Sequence, residues 1–297
     1  MLLSTATRPA DHTVTEATAP VVTAAAVLAE SYDRMAEVLP WMTVTTLGPD
    51  EPLPEGDGWV TAAALARDPE ALDGYLAWDR KQVLQDHGRP GRPDVVAGFG
   101  LHRYAWPACL LFTLPWFLHR RVPYLPVERV AHDRERSRLA ARPAGFACLP
   151  GDPAAATPGA RVVRDEEALR AELRSAVAAH LEPVLGAFGP VMRRRGRGLW
   201  GMATDEITEG LWYVGNLLGE ERRAMRELEA LLPGTEKPYA GTPAFRELTG
   251  PQGEPLTTRD RVSCCLYYTL EPQDTCATCP RTCDEDRVAK LTAEAAA

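Results

Sequence analysis

VVAGFGLHRYAWPACLLFTLPWFL, running from Val95 to Leu118, is the most apolar stretch of the chain. Its uncharged part, Tyr104 to Leu118, covers fifteen residues and contains Pro107 and Pro115. A helix needs about 20 predominantly apolar residues to cross a bilayer. Fifteen residues interrupted by two prolines fall short of that, so the stretch reads as a buried, kinked helix inside a globular protein. His102 and Arg103 flank the uncharged run and read as a polar helix face, with ligand binding as the alternative.

Upstream, Leu28, Tyr32, Met35 and Leu39 recur at helical spacing until Pro40 stops them. After a loop through PDEPLPEGDG, Asp68-Pro69-Glu70 supplies a cap, a proline for the first helical position and an acid for the first turn. That helix carries Leu72, Leu76, Val83 and Leu84 and ends at Gly88.

Downstream the texture changes. VPYLPVERVAHD and RLAARPAGFACLP are short runs broken by Pro and Gly, compatible with a few strands. His132, alone among charged neighbours, reads as solvated, with a ligand or proton-shuttle role as the alternative; Cys109 and Cys148 read as inert core thiols. Asp165 can cap a helix bearing Leu169, Leu173, Val177, Leu181 and Val184, with Pro183 near its end. The basic run Arg193, Arg194, Arg195, Arg197 follows, and Thr204 is the expected cap of a helix with Ile207, Leu211, Val214 and Leu218 inward. Glu220 to Leu232 reads as its neighbouring helix, Val262 to Leu270 as a strand, and Asp284 to Ala293 as a short helix.

The expected fold class is therefore α+β: a mostly helical part over 20–121, then a mixed α/β part over 122–297 that ends in a cysteine-ligated cluster segment. Residues 1–19, rich in Thr, Ala and Pro, are expected to be a disordered tail. The boundary near 122 is soft, and one compact unit is the alternative. With 45% apolar residues in 297 there is ample material for a core. A net charge of −8 offers no general basic surface, which argues against nucleic-acid binding. Met1 to Ala10 has no cationic segment leading into an apolar one, so no secretory signal is read and a reducing, cytoplasmic setting is expected.

Five of the seven cysteines fall within RVSCCLYYTLEPQDTCATCPRTC, Arg261 to Cys283. Cys264 and Cys265 are adjacent; Cys276 and Cys279 form C-x-x-C after a ten-residue gap; Cys283 comes last. Converging thiolates suit zinc or an iron–sulfur cluster. Zinc ribbons use two spaced knuckles, and an adjacent pair makes none. The spacing also departs from the common ferredoxin runs. Two adjacent thiols reach one group only where the chain bends, and a two-iron cluster is the wider target. Spacing alone thus puts iron–sulfur ahead of zinc without excluding zinc. Arg259, Arg261, Arg281 and Arg287 bracket the cysteines; they read either as charges favouring a reduced centre or as surface partners of Asp284, Glu285 and Asp286.

This C-C-x₁₀-C-x₂-C pattern, within SCCLYY…TCATCP, resembles the signature of the FhuF-like ferric-siderophore reductases. LHRYAW (Leu101 to Trp106) and RGLWGMA (Arg197 to Ala203) are more loosely similar to other segments of that family. The resemblance implies that Cys264, Cys265, Cys276 and Cys279 ligate a [2Fe–2S] cluster, with Cys283 outside the set. It implies one-electron reduction of a ferric siderophore, hydroxamate or catecholate, with release of Fe²⁺. No G-x-G-x-x-G after a strand and no P-loop occurs, so electrons are expected from an external donor such as a ferredoxin or flavoprotein. Arg197 and Trp200 are the candidate contacts for chelate or donor, with core packing as the alternative for Trp200. Three rival readings are a zinc-stabilised scaffold, an iron–sulfur carrier or sensor without a siderophore substrate, and a siderophore-synthesis enzyme. The last has no use for four thiolates.

Overall fold

The computed structural model describes residues 22–272 and 274–295. The tail expected over 1–19 lies outside the described residues. The first half of the chain runs α1 (Ala24–Val38), β1 (Thr43–Thr46), β2 (Trp59–Thr61), α2 (Ala62–Arg67), α3 (Pro69–His87) and α4 (Pro93–His119). Next come β3 (Arg121–Pro123), β4 (Val130–Asp133), β5 (Arg138–Ala141), β6 (Phe146–Cys148) and β7 (Ala160–Val162). The chain then continues through α5 (Glu166–Met192), α6 (Arg197–Leu217), α7 (Glu221–Leu231), β8 (Phe245–Thr249), β9 (Pro255–Arg259) and α8 (Asp284–Ala295). The fold is α+β.

The apolar stretch forms α4, and the other large helices pack around it: α1, α3, α5 and α6 all contact it. Leu101, Tyr104, Ala108, Leu111, Phe112, Trp116 and Phe117 are buried on every side. Each large apolar side chain buried in this way contributes about 1.5–3 kcal/mol. Proline has no N–H, so Pro115 leaves the carbonyl of Leu111, four residues back, without its helical donor. Tyr32 of α1 fills that gap, its hydroxyl donating to Leu111 O at 2.9 Å. Among the described residues no helix is long and apolar enough to cross a membrane.

A four-stranded sheet has the order β1-β5-β4-β2, with only the β1–β5 pair parallel. Strands that precede α4 therefore pair with strands that follow it. A second sheet has the order β3-β6-β7, and residue 122 lies within β3. Cys109 in α4 and Cys148 in β6 are buried, as expected of core thiols.

Asp68 caps α3, its carboxylate accepting from Glu70 N at 2.9 Å, and Gly88 closes that helix in the left-handed region. Asp165 caps α5 by accepting from Ala168 N at 2.8 Å. Pro183 does not end α5, which continues through it and Pro190 to Met192. Thr204 is not a cap either. α6 starts at Arg197 after Gly196, and Thr204 Oγ1 sits mid-helix donating to Trp200 O at 3.1 Å. Val262 to Leu270 is not a strand. Its first N–H groups are taken by a carboxylate instead of a neighbouring strand, as described below. The actual strands here, β8 and β9, form an antiparallel hairpin across the turn Gly250-Pro251-Gln252-Gly253. Their polar faces concealed them from a reading based on apolar runs.

Candidate metal centre and adjoining cleft

The cysteine segment is held against the helical core by polar contacts that converge on Asp205 of α6. This side chain is fully buried. One oxygen accepts from Val262 N at 2.9 Å and from the Arg259 guanidinium at 3.0 Å. The other accepts from Ser263 N at 2.8 Å and from Ser263 Oγ at 2.6 Å. Arg259, also fully buried, donates twice to Glu209 on the next turn of α6, at 3.0 and 2.9 Å. A buried charge is tolerable only when paired and fully hydrogen-bonded, and both partners here are. Gly201 lets the segment approach: a Cβ there would meet Val262 Cγ1 at 2.9 Å.

Further contacts fix the two cysteine-bearing turns. Arg194 donates to the Cys264 carbonyl. Arg287 of α8 donates to Asp260 at 2.6 Å and to the Cys279 carbonyl at 3.1 Å. Leu266 and Leu270 join Val83, Val95, Val96 and Phe99 in a small second apolar cluster. The bracketing arginines thus find partners other than those the sequence offered. Arg259 pairs with Asp205 and Glu209, Arg287 with Asp260, and Arg281 lies over the Tyr268 ring at 4.2 Å. Asp284 is paired with Arg246.

Cys264, Cys265, Cys276 and Cys279 come together. Burial raises the Cys264 pKa, and the neighbouring Cys279 and Cys265 raise it further. Cys276, although exposed on its loop, is pushed up to about 11 by desolvation of its thiol and by Cys265 and Cys279, with Arg261 opposing. Cys283 answers to Asp286 and Glu285 instead, at the start of α8. Backbone N–H groups aim at two of the sulfurs, Leu266 N at Cys264 Sγ and Arg281 N at Cys279 Sγ, each at 3.4 Å. Such bonds stabilise a thiolate and tune the group it ligates. Cys264 and Cys276 thus resist ionisation until a cation sits among the thiols, which is the chemistry of a metal-binding donor set. They do not close on one point: among the described residues, no group of three His, Cys, Asp or Glu side chains is gathered tightly enough for a single metal ion.

Residues 261–281 match the family model of the FhuF 2Fe-2S C-terminal domain. This segment is similar to an FhuF-type [2Fe–2S] domain. The matched residues include Cys264, Cys265, Cys276 and Cys279 and end before Cys283. Comparison with the curated proteins finds no match to this chain. The cofactor of the FhuF-type domain is a [2Fe–2S] cluster, and the soft, all-sulfur donor set with its N–H···S bonds fits that group.

Beside the FhuF-type domain lies a cleft of about 690 Å³. Cys276, Thr278 and Arg261 form one side of it. Trp41, Trp106 and Tyr213 form an aromatic wall, with Trp41 stacked on Trp106 at 6.0 Å and Trp106 against Tyr213 at 6.1 Å. Trp41 and Tyr213 keep 53% and 44% of their surface exposed, more than packing alone would leave on such side chains. Arg103 and Arg134 line the cleft and share the buried carboxylate of Asp79.

His102 and Arg103 are thus cleft residues and not merely a polar helix face. His102 Nδ1 lies 2.7 Å from Glu206 Oε2 of α6. His132 is not solvated. It is buried in β4 with its ring against Tyr75 and Tyr104, and burial lowers its pKa to about 4. Arg197 is exposed at the start of α6, and Trp200 packs edge-on against Tyr239 at 5.5 Å; neither lines the cleft. The aromatic wall escaped sequence reading because its members come from different elements. Only Leu101 to Trp106 held a visible signal, with His102 and Trp106 one helical turn apart.

Proposed function

We propose that this chain is a ferric-siderophore reductase, with Cys264, Cys265, Cys276 and Cys279 as the cluster ligands and the adjoining cleft as the chelate site. The observation that carries this reading is that Cys276, one of the four thiols, lines a cleft of about 690 Å³. That lies within the 300–1,000 Å³ typical of small-molecule sites. When bound, the cluster supplies single-electron transfer. The aromatic wall offers flat apolar surface to the outside of a chelate, and Arg103, held by Asp79, offers donors to its oxygens. Fe³⁺ is held far more tightly than Fe²⁺ by hard oxygen donors, so one electron is enough to loosen the chelate.

The test uses anaerobically purified holoprotein, reduced chemically and mixed with ferric hydroxamates and catecholates while a ferrous-specific chelator traps released iron. Loss of the reduced-cluster absorbance with matching ferrous release is the expected result. A protein that stays reduced against every chelate is an electron carrier or sensor. A colourless protein containing zinc returns the scaffold reading. The external donor, a ferredoxin or flavoprotein in this reading, is identified by which of them reduces the holoprotein.

A further inference from the structure

Two histidines line the cleft, and the fold treats them differently. His132 is buried between Tyr75 and Tyr104, and desolvation together with Arg134 lowers its pKa to about 4. At neutral pH its ring is uncharged and lacks the acidic second proton. His102 is half exposed on α4, and its Nδ1 is 2.7 Å from a carboxylate oxygen of Glu206, which is buried on α6. A carboxylate beside Nδ1 fixes a proton on that nitrogen and stabilises the doubly protonated ring. The second polar edge of the ring, Nε2, belongs to a side chain that lines the same cleft as Cys276. Among the described residues the other carboxylate oxygen of Glu206 is buried without a hydrogen-bond partner, so no second donor there divides the carboxylate's interaction with His102.

Resting on the function proposed above, we infer that His102 is the proton donor to the chelate, with Glu206 as its positioning residue. Iron-bound hydroxamate and catecholate oxygens are anionic, and they become strong bases once the metal no longer holds them. As the substrate iron goes from Fe³⁺ to Fe²⁺ by the one electron of the proposed reaction, an iron–oxygen bond breaks. The proton on His102 Nε2 passes to the departing oxygen, the imidazole is left neutral, and water re-protonates it. One electron and one proton enter the chelate, and Fe²⁺ leaves.

The charged groups facing His102 and its cleft come from four sides. Glu206 on α6 raises its pKa; Arg261 from the cysteine segment and Arg103 on its own helix oppose, as does its partial desolvation; the net direction is upward. Arg134 and Glu135 face the cleft from beyond β4. The doubly protonated ring therefore persists to higher pH than in an ordinary histidine.

The test is a single turnover of reduced holoprotein with a ferric chelate, followed by stopped flow from pH 6 to 9, for wild type, His102→Gln, His102→Ala and Glu206→Gln. Binding is measured separately as quenching of tryptophan fluorescence by the redox-inert Ga³⁺ complex of the same siderophore. The expected results are a wild-type rate that falls as pH rises and a loss of about 10²-fold in His102→Gln, with a flat pH profile and Ga³⁺-complex binding retained. Added imidazole restores rate to His102→Ala, and Glu206→Gln moves the fall to lower pH. A His102→Gln protein with the wild-type rate and pH profile overturns the inference and leaves the reductase reading intact. So does a rate loss fully matched by lost Ga³⁺-complex binding. If wild type reduces no chelate at all, the reductase reading fails and the donor role fails with it.

Discussion

The helical core around α4 and the cysteine segment over 261–283 are held in place by opposite means. α4 is enclosed by apolar side chains from four helices, and its few polar needs are met singly, as by Tyr32 at Leu111. Among the described residues, the cysteine segment contains one short 3₁₀ turn, at Tyr267–Thr269, and no strand. It is fixed by Asp205, Arg259, Arg194 and Arg287 acting on its backbone and flanks. Burying apolar surface gives a region that tolerates small losses one at a time. A polar hub is different: Asp205, Arg259 and Arg287 are buried charges, so removing one strands its partners.

The sharpest break is expected at the thiols themselves. Cys276→Ser is predicted to lower iron and sulfide content or to change the visible and electron paramagnetic resonance spectra, whereas Cys283→Ser leaves both unchanged. Bleaching by Cys283→Ser alone would refute the proposed ligand set. In both variants the far-ultraviolet circular dichroism of the helical core should persist.

Next in size is Asp205→Ala. It leaves Arg259 short of a partner and frees the backbone of Val262 and Ser263. Breaking a buried ion pair costs about 3–5 kcal/mol. The predicted outcome is loss of cluster with earlier proteolysis over about residues 250–297, while α4 stays protected. Wild-type iron content in this variant would show that the hub does not hold the site.

A smaller effect tests the core through pH. His180 is buried on α5, its Nδ1–H donating to Leu125 O at 2.6 Å and its Nε2 accepting from the Tyr104 hydroxyl at 2.8 Å. Burial lowers its pKa to about 4, against about 6.5 in the unfolded chain. The unfolded state therefore binds the proton first. Stability is fully present above pH 6.5 and is lost as pH falls through 4, by about 3 kcal/mol for this group. Urea midpoints at pH 7.5, 5.5 and 4 read this directly, and a constant midpoint would contradict it.

The smallest predicted effect is that of Tyr32→Phe, which leaves Leu111 O without a donor at a cost of about 1–3 kcal/mol. Thermal unfolding should register it with cluster content unchanged. If the cluster were lost instead, the two regions would be more tightly coupled than their contacts suggest.

Local chemistry made much of this protein legible. Asp68-Pro69-Glu70, Asp165 and the alternation of apolar residues on α1 and α5 act within one or two turns, and the elements they announce are present. The cysteine pattern is likewise a local spacing, and residues 261–281 match an FhuF 2Fe-2S domain. Val262 to Leu270 misled because its apolar alternation mimics a strand, while Asp205, more than fifty residues away in sequence, takes its first N–H groups. His132 misled for a related reason: charged neighbours in sequence said nothing of the tyrosines that α3 and α4 bring onto its ring.

By itself, then, the sequence determined where α3 and α5 begin, that Val95 to Leu118 is a core helix and that four cysteines stand in an FhuF-like spacing, because these follow from spacing along a single segment. Only the tertiary structure decided that Trp41, His102, Tyr213 and Cys276 line one cleft, and that Glu206 stands behind His102. Those residues come from separate elements, and what joins them is the packing of α4 against α6 and the seating of the cysteine segment on Asp205. No spacing along the chain encodes such a meeting, since burial and charge pairing act between elements and not along them.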